Sequence, residues 1–221
     1  MKDSFLYPII FMLIMVVLFS GILAVTYRFS EAKIQDYQTD SYQKMILSTL
    51  ATKIAEITQQ NPQDIMAAYP KSFEQYIRQL TPQGFEREVY QAVVDEEVVA
   101  YSFEIKGKGL WGTMRALVST TPDFRTILDF NIVNQQETPG LGARIEEEWF
   151  LSQFRDRIFV VNPESEDDVT QSYEFISEAQ TPENDRQLKR VTGATITSDS
   201  VIKMLRAEFN YIYSYVRSNE L

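Results

Sequence analysis

The sequence predicts an α+β chain, in which a single N-terminal transmembrane helix precedes a domain with a mostly antiparallel sheet and packing helices. Three observations predict it. An uncharged apolar run occupies residues 5–27. Apolar residues recur at helical spacing after that run and again at the C-terminus. Between the two helical stretches the spacing shortens toward alternation, and Val, Ile, Phe and Tyr become frequent.

The run at residues 5–27, FLYPIIFMLIMVVLFSGILAVTY, is long enough to cross a hydrocarbon core of roughly 30 Å. Pro8 falls in its first turns, where a missing N–H is tolerated. Tyr7 and Tyr27 stand near its ends, where interfacial aromatics belong. The run exceeds the apolar core of a signal peptide, and Lys2 beside Asp3 makes a poor basic leader, so it reads as an uncleaved anchor. Lys2 on one side and Arg28 and Lys33 on the other leave the orientation undetermined by charge.

Residues 31–60 read as a helix through Ile34, Tyr37, Tyr42, Met45, Ile46, Leu50, Ile54 and Ile57, and Asn61-Pro62 breaks it. One or two short helices around Pro70 should fill residues 63–80. From Glu88 the segments EVYQAVV, EVVAYSFEIKG, LWGTMRALVSTT and TILDFNIVNQQ read as strands, with Pro122-Asp123 as the turn of a hairpin. A helix is expected over 146–154, an acidic loop at 165–168, a strand at 171–176 and a loop at 178–185. An amphipathic helix over 198–218 closes the chain, with Val201, Ile202, Leu205, Phe209, Ile212 and Val216 on one stripe. The expected division is a stub at 1–4, the membrane helix at 5–27, a helical membrane-proximal region at 28–85 and a globular domain at 86–221.

Composition narrows the chemistry. The formal net charge is −10, against nucleic-acid binding, which needs a basic face. There is no cysteine and no histidine. The chain therefore supplies no disulfide, no thiolate-held cluster or zinc, no haem histidine and no Ser-His-Asp triad. No metal site is expected. No loop of the Walker or dinucleotide-binding type is present. Carboxyl chemistry remains, and so does redox chemistry with a borrowed organic group.

Three glycine-bearing loops are candidates to hold such a group. KGKGLWGTM, residues 106–114, offers glycines around Leu110 and Trp111, on which a planar ring stacks. It also reads as a strand with a bulge at Gly109 and a core tryptophan. ETPGLG, residues 137–142, places Pro139-Gly140 at the centre of a type II turn. Its exposed N–H groups and the Thr138 hydroxyl are ligands for a polar ring edge, or it is a turn and nothing more. VTGATITS, residues 191–198, brings small Gly193 and Ala194 beside a helix start whose free N–H groups suit a phosphate. Ser198 or Thr197 also reads there as an ordinary helix cap, which leaves Thr195 without a role.

KGKGLWGTM, ETPGLG and TGATITS, in this order and behind one N-terminal anchor, resemble the flavin-carrying subunits of ion-translocating redox complexes. These are NqrC of the sodium-pumping NADH:quinone oxidoreductase and RnfG of the Rnf complex. The resemblance covers roughly residue 99 to the C-terminus, plus the anchor. It implies that Thr195, the last threonine of an (S/T)GAT motif, carries FMN through a phosphoester bond. It implies that Leu110 and Trp111 line the flavin and that Glu137, Thr138, Leu141 and Gly142 form the facing loop. Thr192, Gly193, Ala194, Ile196 and Thr197 then surround the attachment point. The GLW wording is closer to NqrC-like members. Lys189 stands where the family usually has an acid, three positions before the first hydroxyl of the motif, and the nearest upstream acid is Asp185. A lysine there pairs with the phosphate as a point charge. Lys106 and Lys108 are further candidate donors to the bound group.

The resemblance further implies an electron-relay subunit that is not catalytic alone. Its partners would be the other subunits of a membrane redox complex and a flavin-attaching transferase. NADH oxidation and the ion path would lie in those other subunits, since one uncharged span builds no ion pathway. The expected location is the cytoplasmic (inner) membrane, with the domain on the periplasmic side. A non-redox anchored scaffold and a flavin-binding sensor domain are the competing readings.

Overall fold

The computed structural model describes residues 6–80 and 87–218. The stub expected at 1–4, and the boundary expected at 85/86, lie outside them. Two compact units divide the chain, Met1–Gln43 and Lys44–Leu221.

The first unit is built on helix α1 (Leu6–Thr58), which absorbs both the expected span and most of the expected 31–60 helix. Its segment Leu6–Glu31, 26 residues, is long and apolar enough to cross a membrane. Ile10, Phe11, Leu18 and Leu23 in it are all exposed rather than packed against protein. An apolar helix with no protein around it calls for an apolar solvent, which supports membrane anchoring.

The second unit begins in the last turns of α1, where Ile46, Leu47, Leu50 and Ile54 are buried. Gln59, with φ 56°, ends the helix. Asn61 then caps α2 (Pro62–Ala67), its side chain accepting the Gln63 N–H at 2.9 Å, with Pro62 in the first turn. After α3 (Lys71–Tyr76) the chain turns extended. Strand β1 (Ile77–Leu80) pairs antiparallel with β2 (Val89–Val94), where the sequence predicts only helix. The residues expected to form a separate membrane-proximal region thus pack, from Lys44 on, with the sheet.

Strands β3 (Glu97–Lys108), β4 (Thr113–Thr120), β5 (Thr126–Asn134) and β6 (Arg157–Ile158) complete a six-stranded antiparallel meander in the order β1-β2-β3-β4-β5-β6. Asp95 and Glu96, both at positive φ, make the two-residue β2–β3 turn. The hairpin expected at Pro122-Asp123 is present. There the Asp123 carboxyl accepts the Thr121 hydroxyl and the Arg125 N–H, at 2.5 and 3.1 Å.

Both faces of the sheet are covered, so the alternation along β4 is almost erased by burial. On one face Phe103, Ile105, Met114, Ala116, Val118 and Phe130 meet Val201, Leu205 and Phe209 of α5 (Thr195–Ser218) in the main core. On the other face Ser102 and Ser119, paired across β3–β4, take the C-terminal turns of α1. Ser119 Oγ donates to the Thr49 carbonyl at 2.7 Å, and Thr49 and Ser102 hydroxyls lie 3.1 Å apart.

The helix expected over 146–154 is broken into a 3₁₀ turn (Gly142–Glu146), α4 (Glu148–Leu151) and a second 3₁₀ turn (Ser152–Phe154). The strand expected at 171–176 is β7 (Glu174–Ser177). It pairs in parallel with β8 (Gln187–Arg190) as a small separate sheet. Helix α5 begins at Thr195, three residues before the expected start. Thr197 and Ser198 are therefore inside the helix and cap nothing. Ser198 Oγ instead donates to the Ala194 carbonyl and accepts the Val191 N–H.

Candidate functional site

The three loops converge on one buried carboxyl group. Glu137, 5% exposed, follows β5 and reaches across to the turn between β3 and β4. That turn, residues 109–112, is closed by the Gly109 N–H on the Gly112 carbonyl at 2.8 Å. It is thus a tight connection, not a bulge, and Leu110-Trp111 lie at its tip rather than in strand β4. Glu137 Oε1 accepts the N–H groups of Leu110 and Trp111 at 2.8 and 3.1 Å. Its Oε2 accepts the Thr197 hydroxyl at 2.6 Å, from the first turn of α5. One side chain therefore ties the first loop, 27 residues before it at Leu110, to the third, 60 residues after it at Thr197.

The second loop is shaped by its own backbone. Leu141 and Ala143 both donate their N–H to the Thr138 carbonyl, at 3.1 and 3.2 Å, and Gly140 has φ 73°, as a type II turn around Pro139-Gly140 requires. Gly142 sits against the clasp. A Cβ there would lie 2.8 Å from the Glu137 side chain and from the Thr197 hydroxyl, so only glycine fits.

In the third loop Gly193 has φ 77° and faces Leu141, whose Cδ2 would stand 3.0 Å from an added Cβ. The Ala194 N–H bonds to the Val191 carbonyl at 3.0 Å, so residues 191–194 form a tight turn that delivers Thr195 to the first position of α5. Thr192, Gly193, Thr195 and Ile196 are exposed, while Ala194 and Thr197 are buried.

The side chains left outside the clasp are apolar and exposed. Trp111 is 68% exposed, Ile196 57%, Leu110 48% and Leu141 44%. These large apolar side chains are carried by the three loops that Glu137 ties together, and Thr195 adds an exposed hydroxyl at a helix N-terminus. A hollow of about 450 Å³ beside the first turn is lined by Lys106, Lys108, Leu110, Trp111 and Thr113. Lys106 there is also 3.4 Å from Glu104. These features fit a flat, amphipathic ligand with an anionic end: apolar surface for rings, and backbone N–H groups with a hydroxyl for a phosphate.

Of the residues singled out from sequence, Glu137, Leu110, Trp111, Leu141, Gly142, Gly193 and Thr197 are brought into mutual contact or joined by Glu137. Thr138 shapes the second loop, and Thr192, Ala194, Thr195 and Ile196 follow Gly193 or flank it in the third. Lys189 sits apart from Leu110 and Trp111. Its N–H and carbonyl are both held by the Gln153 side chain, and it lines a different hollow with Trp149, Gln153, Arg157 and Glu178. Glu178 itself was not legible in the sequence as part of this site, yet it accepts the Thr192 N–H at 3.0 Å. No motif signals it, since it lies 14 residues upstream in a loop.

Residues 109–208 match the family of FMN-binding domains. The G subunit of the proton-translocating ferredoxin:NAD⁺ oxidoreductase complex of Clostridium ljungdahlii is 29% identical over 126 residues, 57% of this chain and 60% of its own length. The C subunit of the Na⁺-translocating NADH-quinone reductase of Vibrio alginolyticus is 27% identical over 113 residues, 51% of this chain and 42% of its own length. This chain therefore spans roughly half the length of those relatives. Relatives of both kinds match, the G subunit over the longer stretch, so the preference for NqrC expected from the GLW wording is not resolved. The C subunit of the Na⁺-translocating NADH-quinone reductase of Parabacteroides distasonis, known from a crystal structure, shares the fold. It superposes with a TM-score of 0.59 at 21% identity, over 84% of this chain and 94% of that one. Residues 109–208 thus match an FMN-binding domain, and the chain is similar to the G subunits and C subunits of these two kinds of complex and shares the fold of the latter.

Proposed function

We propose that the chain is a membrane-anchored electron-transfer subunit that carries FMN on Thr195 through a phosphoester bond. The observation that carries this reading is the placement of Thr195. It is an exposed hydroxyl at the first position of α5, two residues before the Thr197 that Glu137 ties to the loop bearing exposed Leu110 and Trp111.

A bound flavin exchanges one or two electrons, and so links a two-electron donor to a one-electron chain. The protein's own residues bind and orient. The N-terminal N–H groups of α5 would hold the phosphate, favoured by the helix dipole. Leu110, Trp111 and Leu141 would hold the rings, and Lys106 and Lys108, which line the hollow with Trp111, would act as donors. Glu137 holds the two halves of the site at a fixed separation. The chain supplies the domain at 86–221 behind a span at 5–27. Partner proteins of an Nqr- or Rnf-type complex exchange its electrons, and the domain lies on the periplasmic side of the inner membrane. A transferase would make the bond by moving the FMN phosphoryl group from a flavin dinucleotide to the Thr195 oxygen, breaking the pyrophosphate link so that the nucleoside monophosphate leaves and the hydroxyl proton is released.

The test is flavin that survives denaturation. The full chain, co-produced with its attaching enzyme, should fluoresce as a denatured band and weigh more by FMN less one water. Thr195→Val should abolish both signals. A colourless wild-type band under those conditions would end the proposal and favour the anchored scaffold. Noncovalent flavin, with no redox proteins co-purifying, would favour a sensor.

A further inference from the structure

Among the described residues, Glu178 is a side chain outside the three glycine loops that holds the acceptor loop by its backbone. We propose that Glu178 and Arg144 are a positioning pair for that loop: the Glu178 carboxylate fixes the Thr192 amide, and Arg144, shared with Glu147, lowers the negative charge that the two carboxylates together present to an incoming phosphate. This rests on the reading of Thr195 as the FMN acceptor.

The register of the small sheet puts Glu178 there. Ser177, the last residue of β7, pairs with Arg190, the last of β8, so the next residue on each strand runs on alongside the other. Residues 191–194 then form their turn. In such a turn the second residue's N–H points outward and is left without a partner by the turn itself. That residue is Thr192, and its N–H goes to Glu178 Oε2 at 3.0 Å. Val191 N–H is taken by Ser198 Oγ at 3.2 Å and Ala194 N–H by the Val191 carbonyl. With Glu178 in place the turn is pinned at three of its four amides, one step ahead of Thr195.

Arg144 arrives from the opposite direction, on the 3₁₀ turn (Gly142–Glu146) that continues the second loop. It meets Glu178 with two parallel hydrogen bonds, at 2.7 and 3.1 Å. Glu147 pairs with the same guanidinium at 3.1 Å, so the three groups keep one net negative charge, and the Trp149 ring lies 5.6 Å from the guanidinium. The hydrogen bonds from Arg144, and next the Thr192 amide, hold the Glu178 carboxyl down to about 2. It is therefore charged at every working pH, and an unanswered negative charge so close to the acceptor loop would oppose an anionic ligand.

The experiment follows attachment, not electron transfer. Full-length variants are co-produced with the transferase, and the attached fraction is followed over time by intact mass. Hydrogen exchange at the Thr192 amide is measured on the same samples. Glu178→Ala should slow attachment about fivefold or more and deprotect that amide, whereas Glu178→Gln, which keeps an acceptor oxygen, should stay within about twofold of wild type. Arg144→Ala should also slow attachment. The double variant Arg144→Ala/Glu178→Gln should recover most of that loss, because it removes the stranded charge. Unchanged attachment in Glu178→Ala overturns the positioning role, and a double variant no better than Arg144→Ala overturns the charge argument. Absence of flavin on the wild-type chain overturns the Thr195 reading itself, and is recognised as that because no variant is involved.

Discussion

Glu137 and Glu178 each hold one edge of the same loop, in opposite surroundings. Glu137 is 5% exposed and its partners are neutral, two amides and a hydroxyl. Glu178 has 28% of its side chain exposed and is answered by a guanidinium. A buried carboxyl group with neutral donors acts as a rigid part, since nothing outside competes for it and losing it strands several donors. A carboxylate at the surface needs a counter-charge to keep its place, and water softens whatever it contributes. The first is suited to setting the distance between the flavin-facing loops, the second to holding one amide without closing the site.

The comparison breaks first at Glu137. Glu137→Ala leaves the Leu110 and Trp111 amides and the Thr197 hydroxyl without their acceptor, and should cost about 3 kcal/mol of stability. Glu178→Ala should cost under about 1 kcal/mol, because water replaces its bonds. Denaturant unfolding of the detergent-solubilised chain compares them. Equal losses would show that burial is not what distinguishes the two groups.

A smaller effect comes from the other end of the clasp. Thr197→Val keeps the shape and removes one donor, for about 1–2 kcal/mol. Combined with Glu137→Ala it should be clearly less than additive, with a coupling of about 1 kcal/mol in a double-mutant cycle. Strict additivity would mean that the 2.6 Å contact does no energetic work.

The smallest effect is a pH dependence at Glu178. Its folded-state value of about 2 lies below the ordinary 4.5, so the unfolded chain takes up the proton first as pH falls. The contribution of Glu178 is thus complete above the ordinary carboxyl range, and is lost as pH drops from there through about 2. A carboxyl-resolved NMR titration should show the depressed value, and Arg144→Ala should move it back up. A Glu178 that titrates normally in the wild type would remove the charge-paired half of the comparison.

Much of the fold could be read in advance because its signals are local. Asn61-Pro62 stops a helix through a missing N–H and a side-chain cap. Pro122-Asp123 turns a hairpin through an Asx contact two residues long. The β2–β3 turn gave less warning, since Asp95 and Glu96 take positive φ without glycine or asparagine. Strand β1 was hidden, because a four-residue edge strand carries no period and is defined by its partner. The start of α5 was misplaced for a related reason. Hydroxyls near a helix start read as caps, but Ser198 and Thr197 bond to Val191, Ala194 and Glu137 from inside the first turn.

By itself, the sequence determined the apolar segment, the class of the fold, the order of the three glycine loops and the hydroxyl at Thr195. Each of these depends on composition or on spacing within a few residues, where backbone geometry is common to all chains. Only the tertiary structure decided that Glu137 joins the loops, that Gln153 holds the Lys189 backbone beside a hollow other than that of Trp111, and that Glu178, paired with Arg144, holds the turn at 191–194. Those contacts cross 60, 36, 34 and 14 residues. At such separations a hydrogen bond depends on strand register and on how faces pack, and no local pattern in the chain carries that information.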